Sequence, residues 1–259
     1  MTTSKKGFFP KKSSRVASTA TAAILILLGT LPEPVKALTL VTERAALGGN
    51  DLLDWSSLGK VFNPLAPDPT AFLPNSFSGT SGRGLGLNVE IPFLAGVSPP
   101  FVLQTLPFPF GIPTNFASGD FILFTGSNPK TFPAAGNPGP LTITFDTPVL
   151  GAGTQITVDD TPKFKAFISA FDADNNPLGT FSVLGTSSTA LDNSALFLGI
   201  LSDGPKIKKL VYSASVPKRA LGINSVSLVR VSVPEPSSLW GLLAFGALGA
   251  GGWQLRKKQ

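Results

Sequence analysis

From Leu141 to Asp146 the chain alternates apolar Leu141, Ile143 and Phe145 with polar Thr142, Thr144 and Asp146. A period of two sets one face of an extended segment on a core and the other in water. Runs of similar character recur at Leu87 to Ile91, Phe121 to Thr125, Gln155 to Val158, Lys163 to Phe171, Leu178 to Leu184, Ala195 to Leu201, Ile207 to Tyr212 and Gly222 to Val231. Turn signals separate them: Gly151 to Gly153, Asn175-Asn176-Pro177, Asp203-Gly204-Pro205 and Val216-Pro217-Lys218. Many short strands with punctuated turns predict an all-β sandwich or barrel. Ile143, Phe145, Phe164, Ile168, Phe181 and Val226 are its expected core.

Upstream of this region the pattern is less regular. Asn63 to Asn75 and Ser98 to Pro113 are rich in proline, which cannot donate to a full ladder, so they suit surface coverings or edge strands. A short helix is expected around Thr42 to Leu47. The expected organisation is one domain over 38–231, with no internal repeat.

The two ends read differently. Lys5, Lys6, Lys11, Lys12 and Arg15 precede an apolar run from Ala20 to Leu28, and Val35 and Ala37 stand three and one before a break. This predicts a signal peptide over 1–37, cut after Ala37 to leave Leu38 first. At the other end, Leu239 to Leu255 carries no charge and gives a helix of about 25 Å, slightly short of a hydrocarbon core of roughly 30 Å. Trp240 and Trp253 suit the two interfaces, and Arg256, Lys257 and Lys258 form a cytoplasmic stop over 256–259. Basic residues retained inside at both ends put the intervening domain outside. Within the linker 232–238, Pro234 and Pro236 hold Glu235 in an extended segment next to the membrane. A permanent, uncut anchor is the alternative. A second Pro-Glu-Pro at Pro32 to Pro34 is followed by Val-Lys-Ala, not by an apolar span, and carries no such signal.

This tail closely resembles the PEP-CTERM sorting signal of Gram-negative bacteria. The resemblance implies export through Sec-type machinery and signal peptidase. It further implies transient residence in the inner membrane, recognition of Pro234, Glu235 and Pro236 by an exosortase, and a mature form at the cell surface or beyond it. In the body, Ala170 to Phe181, Phe197 to Asp203 and Leu221 to Leu228 resemble strand motifs of galactose-binding-like jelly-roll domains, which implies a jelly-roll-like sandwich. Fold alone does not transfer a sugar-binding role.

Charge has to be assigned by segment. The whole chain carries +6, yet residues 38–233 hold twelve Lys and Arg against thirteen Asp and Glu, a net charge of −1. Basicity therefore belongs to the targeting ends, and a nucleic-acid partner has no support. A cluster of Lys206, Lys208, Lys209, Lys218 and Arg219 reads as a solvated strand face and hairpin, or else as a contact for an anionic exopolysaccharide.

The chain has no Cys and no His. That excludes disulfides, thiol nucleophiles, thiolate or imidazole metal sites and a Ser-His-Asp triad. No cofactor or metal is expected, and the body is expected not to be an enzyme. Asp172, Asp174 and Asn176 hold the first, third and fifth positions of a calcium loop, but Pro177 stands where Gly is needed and Val183 where Glu is needed. They are expected to form a hairpin turn. Asp159 and Asp160 also read as a turn, since adjacent strand residues face opposite ways and make a poor acid–base pair. Gly82-Arg83-Gly84-Leu85-Gly86-Leu87 lacks the strand–helix context of a phosphate loop and reads as a flexible hairpin.

An aromatic platform is the usual tool for sugar binding. The body has one Trp, Trp55, and one Tyr, Tyr212, against seventeen Phe placed mostly in strand patterns. The expected function is a structural protein of the envelope or extracellular matrix. The alternative is a carbohydrate-binding module that uses Trp55 and polar loops.

Overall fold

The computed structural model describes residues 38–128, 130–131 and 133–231. They form two antiparallel sheets packed face to face. The first contains β1 (Thr39–Val41), β2 (Asp51–Leu53), β5 (Phe101–Gln104), β6 (Phe121–Phe124), β10 (Gly151–Val158), β13 (Leu196–Leu201), β15 (Leu221–Ile223) and β16 (Val226–Val229). The second contains β3 (Ser76–Thr80), β4 (Gly86–Glu90), β9 (Leu141–Val149), β11 (Phe164–Phe171), β12 (Pro177–Gly185) and β14 (Ile207–Ala214), in the order β12-β11-β14-β9-β4-β3. A small hairpin, β7 (Ser127–Asn128) with β8 (Ala135–Gly136), stands beside them. The expected short helix is α1 (Arg44–Leu47).

The alternation predicted for Leu141, Ile143 and Phe145 is present, and all three are fully buried. Phe164, Ala166, Ile168 and Ala170 of β11 turn inward in the same way. Phe181 is half-buried, because β12 is the edge of its sheet and has a neighbour on one side alone. In β14 the inward residues are Ile207, Leu210 and Tyr212. A register shift between Ile207 and Lys209 changes the parity there and lets the consecutive Lys208 and Lys209 both escape the core. Burial pushes the Tyr212 phenol well above its ordinary range.

Two expectations need correction. Gly151 to Gly153 is the start of β10, not a turn. A Cβ on Gly153 would stand 2.6 Å from Gly199 Cα and 2.7 Å from the Phe197 ring, so glycine here permits close approach of two strands. The run Gly222 to Val231 is not one strand, for it breaks at Asn224 and Ser225 into β15 and β16. At the break the Asn224 amide turns onto the neighbouring strand: Oδ1 accepts from Gln155 N–H at 3.0 Å and Nδ2 donates to Gln155 Oε1 at 2.7 Å.

Every residue of β10 is buried, so the first sheet is covered on its outer face as well. In β5 and β6, Val102 and Leu123 face the core between the sheets, while Phe101, Leu103, Ile122 and Phe124 build a second apolar cluster outside. The proline-rich segments supply its cover. Phe62 N–H donates to Val102 O and Leu73 N–H to Pro100 O, each at 2.7 Å, which ties the Phe62–Leu73 segment along the free side of edge strand β5.

Candidate functional site

Phe62 and Phe72 stack at 5.1 Å, Phe62 tilts against Phe101 at 5.1 Å, and Phe101 stacks on Phe124 at 5.6 Å. Beside this aromatic row opens a cleft of about 590 Å³, walled by these rings and several prolines and closed on its polar side by Asp159 and Ser187. The polar side is held in place. Ser187 Oγ accepts from Val158 N–H at 3.0 Å and lies 2.7 Å from Thr157 Oγ1, while Thr157 Oγ1 donates to Asn115 Oδ1 at 3.2 Å.

Asp159 and Asp160 form the turn that follows β10, as expected. The strand ends at Val158, so alternation no longer separates them and both line the cleft. Asp160 adopts a left-handed φ of 47°, a conformation Asp tolerates better than most residues, and its Oδ2 accepts from Ala134 N–H at 2.7 Å. Asp159 is half-buried. Its burial, with the adjacent Asp160 charge, pushes its carboxyl up to about 6, against the smaller pull of the Asp160 N–H and Arg219.

The other sequence candidates are not gathered here. Trp55 is fully buried in the core between the sheets, with Nε1 donating to Asn224 O at 2.8 Å, so it cannot serve as a sugar platform. Asp172 holds a turn together: Oδ1 accepts from the N–H groups of Asp174 at 3.0 Å and Asn176 at 2.8 Å. The basic cluster divides between the two ends of β14. Lys206 pairs with Asp203 at 3.6 Å and Lys209 lies 4.3 Å over the Phe171 ring, whereas Arg219, beyond the far end, donates to Ala134 O at 2.6 Å. Among the described residues no group of three acidic side chains is placed to hold a metal.

The glycine-rich run is the β3–β4 hairpin, but it is tied down. Gly82 N–H donates to Leu52 O at 2.8 Å and Arg83 N–H to Asp51 Oδ1 at 3.0 Å. Asp51 also accepts from Ser81 Oγ at 2.6 Å, Arg230 Nη1 at 3.0 Å and Leu52 N–H at 2.8 Å. Burial alone would raise its carboxyl, yet these donors outweigh burial and hold it below the usual range.

Of the expected sorting residues, Val35, Ala37, Pro234, Glu235, Pro236, Arg256, Lys257 and Lys258 lie outside the described residues, as does the expected span Leu239 to Leu255. Leu38 is half-buried against the core. Among the described residues no helix is long and apolar enough to cross a membrane.

Residues 232–258 match the PEP-CTERM protein-sorting motif. The motif implies an exported protein with a membrane-anchored precursor and an exosortase as its processing partner. No curated protein matches the chain. Among solved structures it is similar to a DUF4465 family protein from Bacteroides caccae, at 13% identity and a TM-score of 0.35, over 76% of this chain and 100% of that one.

Sequence reasoning passed over the aromatic cleft. The available signal was that Phe101-Val102-Leu103 and Phe121-Ile122-Leu123-Phe124 are apolar at every position. A strand apolar on both faces requires a second cover.

Proposed function

We propose that the protein is a non-catalytic structural component of the cell envelope or extracellular matrix, delivered by its tail and processed by an exosortase at Pro234-Glu235-Pro236. The observation that carries this reading is the sorting motif over 232–258, followed in weight by a folded body stabilised by two sheets without disulfides. Two antiparallel sheets are also the architecture that a galactose-binding-like jelly roll requires, and that kinship forms part of the reading. Glu235→Ala barely changes the hydrophobicity of the tail, so membrane insertion persists while processing fails. The expected result, read by mass and fractionation, is a membrane-bound precursor that keeps Arg256 to Gln259. Trimming and release at the parental rate would leave Pro-Glu-Pro as a stiff linker and favour the permanent anchor. Carbohydrate binding is the competing class, and a panel of acidic and neutral glycans separates the two.

A further inference from the structure

The cleft on the outer face of the first sheet joins apolar walls to charge of one sign. Its charged lining residues are Asp159 and Asp160, with no Lys or Arg among the described residues that line it. Asp160 is engaged by the Ala134 N–H, and Arg219, the nearby cation, spends Nη1 on the Ala134 carbonyl. Among the described residues no Lys or Arg forms an ion pair with Asp159, which leaves a half-buried carboxylate facing a hollow. The volume of about 590 Å³ lies in the range of small-molecule sites.

We propose that this cleft binds a small organic cation with an apolar body, an aryl- or alkylammonium, its body against Phe62, Phe72, Phe101 and Phe124 and its nitrogen at the Asp159 carboxylate. Each alternative ligand chemistry leaves something unmatched. A neutral apolar molecule suits the rings but leaves the carboxylate without an ion-pair partner, and an anion is repelled by both aspartates. A free sugar could stack on a ring and reach Ser187, Ser188 and Thr189, yet it brings no positive charge to Asp159. A cation satisfies the carboxylate and is attracted by the negative faces of phenyl rings. The inference concerns the folded body and does not depend on how the tail is processed.

Binding is linked to protonation. Asp159 titrates near 6, with Asp160 and Arg219 as the charges acting on it, and the cation requires its ionised form. Affinity is therefore expected to fall roughly tenfold between pH 7 and pH 5. The test is calorimetric titration of the full chain in phosphatidylcholine nanodiscs, with empty nanodiscs as blank. The probes are benzyltrimethylammonium, whose charge is permanent, benzyl alcohol and phenylacetate. The cation is expected to bind most tightly and to lose about tenfold at pH 5, while benzyl alcohol binds equally at both. Asp159→Asn is expected to remove the pH dependence and the preference for the cation while keeping benzyl alcohol binding. Phe62→Leu, at a half-buried position, is expected to weaken both probes together. Cation binding that is unchanged by pH or by Asp159→Asn, tighter binding of phenylacetate, or no binding of any probe would overturn the proposal.

Discussion

Asp51 and Asp159 are both carboxylates withdrawn from water, and they respond in opposite directions. Asp51 sits at the junction of β2, the β3–β4 hairpin and Arg230, and its oxygens are met by Ser81, Arg83, Leu52 and Arg230. Asp159 sits at the cleft with a like charge next to it and is pushed up to about 6. Burial acts upward on both, and the direction is decided by its company: four donors at Asp51, the like charge of Asp160 at Asp159. One carboxylate holds the fold together, and the other is retained at a cost to it.

The scale for this contrast is set by the core. Phe145→Ala, at a fully buried position between the sheets, is expected to cost about 3–5 kcal/mol in denaturant unfolding. A loss below about 1 kcal/mol would mean that Phe145 contributes little packing, and the sandwich would then need another core. Next, Asp51→Ala leaves four donors without their acceptor and is expected to destabilise by about 3 kcal/mol at pH 7. Because the folded carboxyl is held below its unfolded value of 3.8, this contribution is present above that pH and is lost as pH falls through the lower folded value. The Asp51→Ala penalty should therefore shrink in acid, and a penalty independent of pH would break the contrast.

Asp159 has the reverse sign. Its folded carboxyl binds a proton more tightly than its unfolded one, so stability falls as pH rises from 3.8 to about 6 and stays lowered above that. Asp159→Asn is expected to raise stability at pH 7 by about 2 kcal/mol, after allowance for partial solvent screening, and to change nothing near pH 3. A destabilised Asn variant at pH 7 would show that Asp159 is a structural residue like Asp51. Trp55→Phe removes one donor to the Asn224 carbonyl that Thr154 Oγ1 also supplies at 2.8 Å, and leaves part of a fully buried site unfilled. A loss of about 2 kcal/mol is expected, with probe binding at the cleft unaltered.

β9 and β11 were legible because they are buried on one side. In Leu141 to Asp146 and in Phe164 to Phe171, period-two alternation records the single core directly. Where a strand is covered on both sides the record disappears: the glycines of β10 looked like a turn, although Gly153 is there so that Gly199 and Phe197 can approach. The cleft was illegible for a related reason. Phe62 and Phe72 stand in a proline-rich stretch with no periodicity, and only the docking of that stretch on β5 brings them beside Phe101. The sorting motif over 232–258 was readable, since its recognition depends on linear order. Trp55 misled for the opposite reason, because neither its residue type nor its turn shows that its ring points into the core.

The way the first sheet closes bears on export. β1 pairs with β13 through Thr39 and Leu201, and β2 pairs with β16 through Leu53 and Val226, so the earliest strands of the body find their partners among its last. A chain that crosses a membrane from its N-terminus presents β1 and β2 long before those partners arrive. Contacts of such long sequence separation form slowly. Until Val226–Val229 has emerged, the sheet lacks its seam, and a truncated or stalled chain exposes unpaired strands. The fold therefore cannot be completed before the segment that holds β16 has crossed, and a body with β16 in place is one whose strands have all left the membrane.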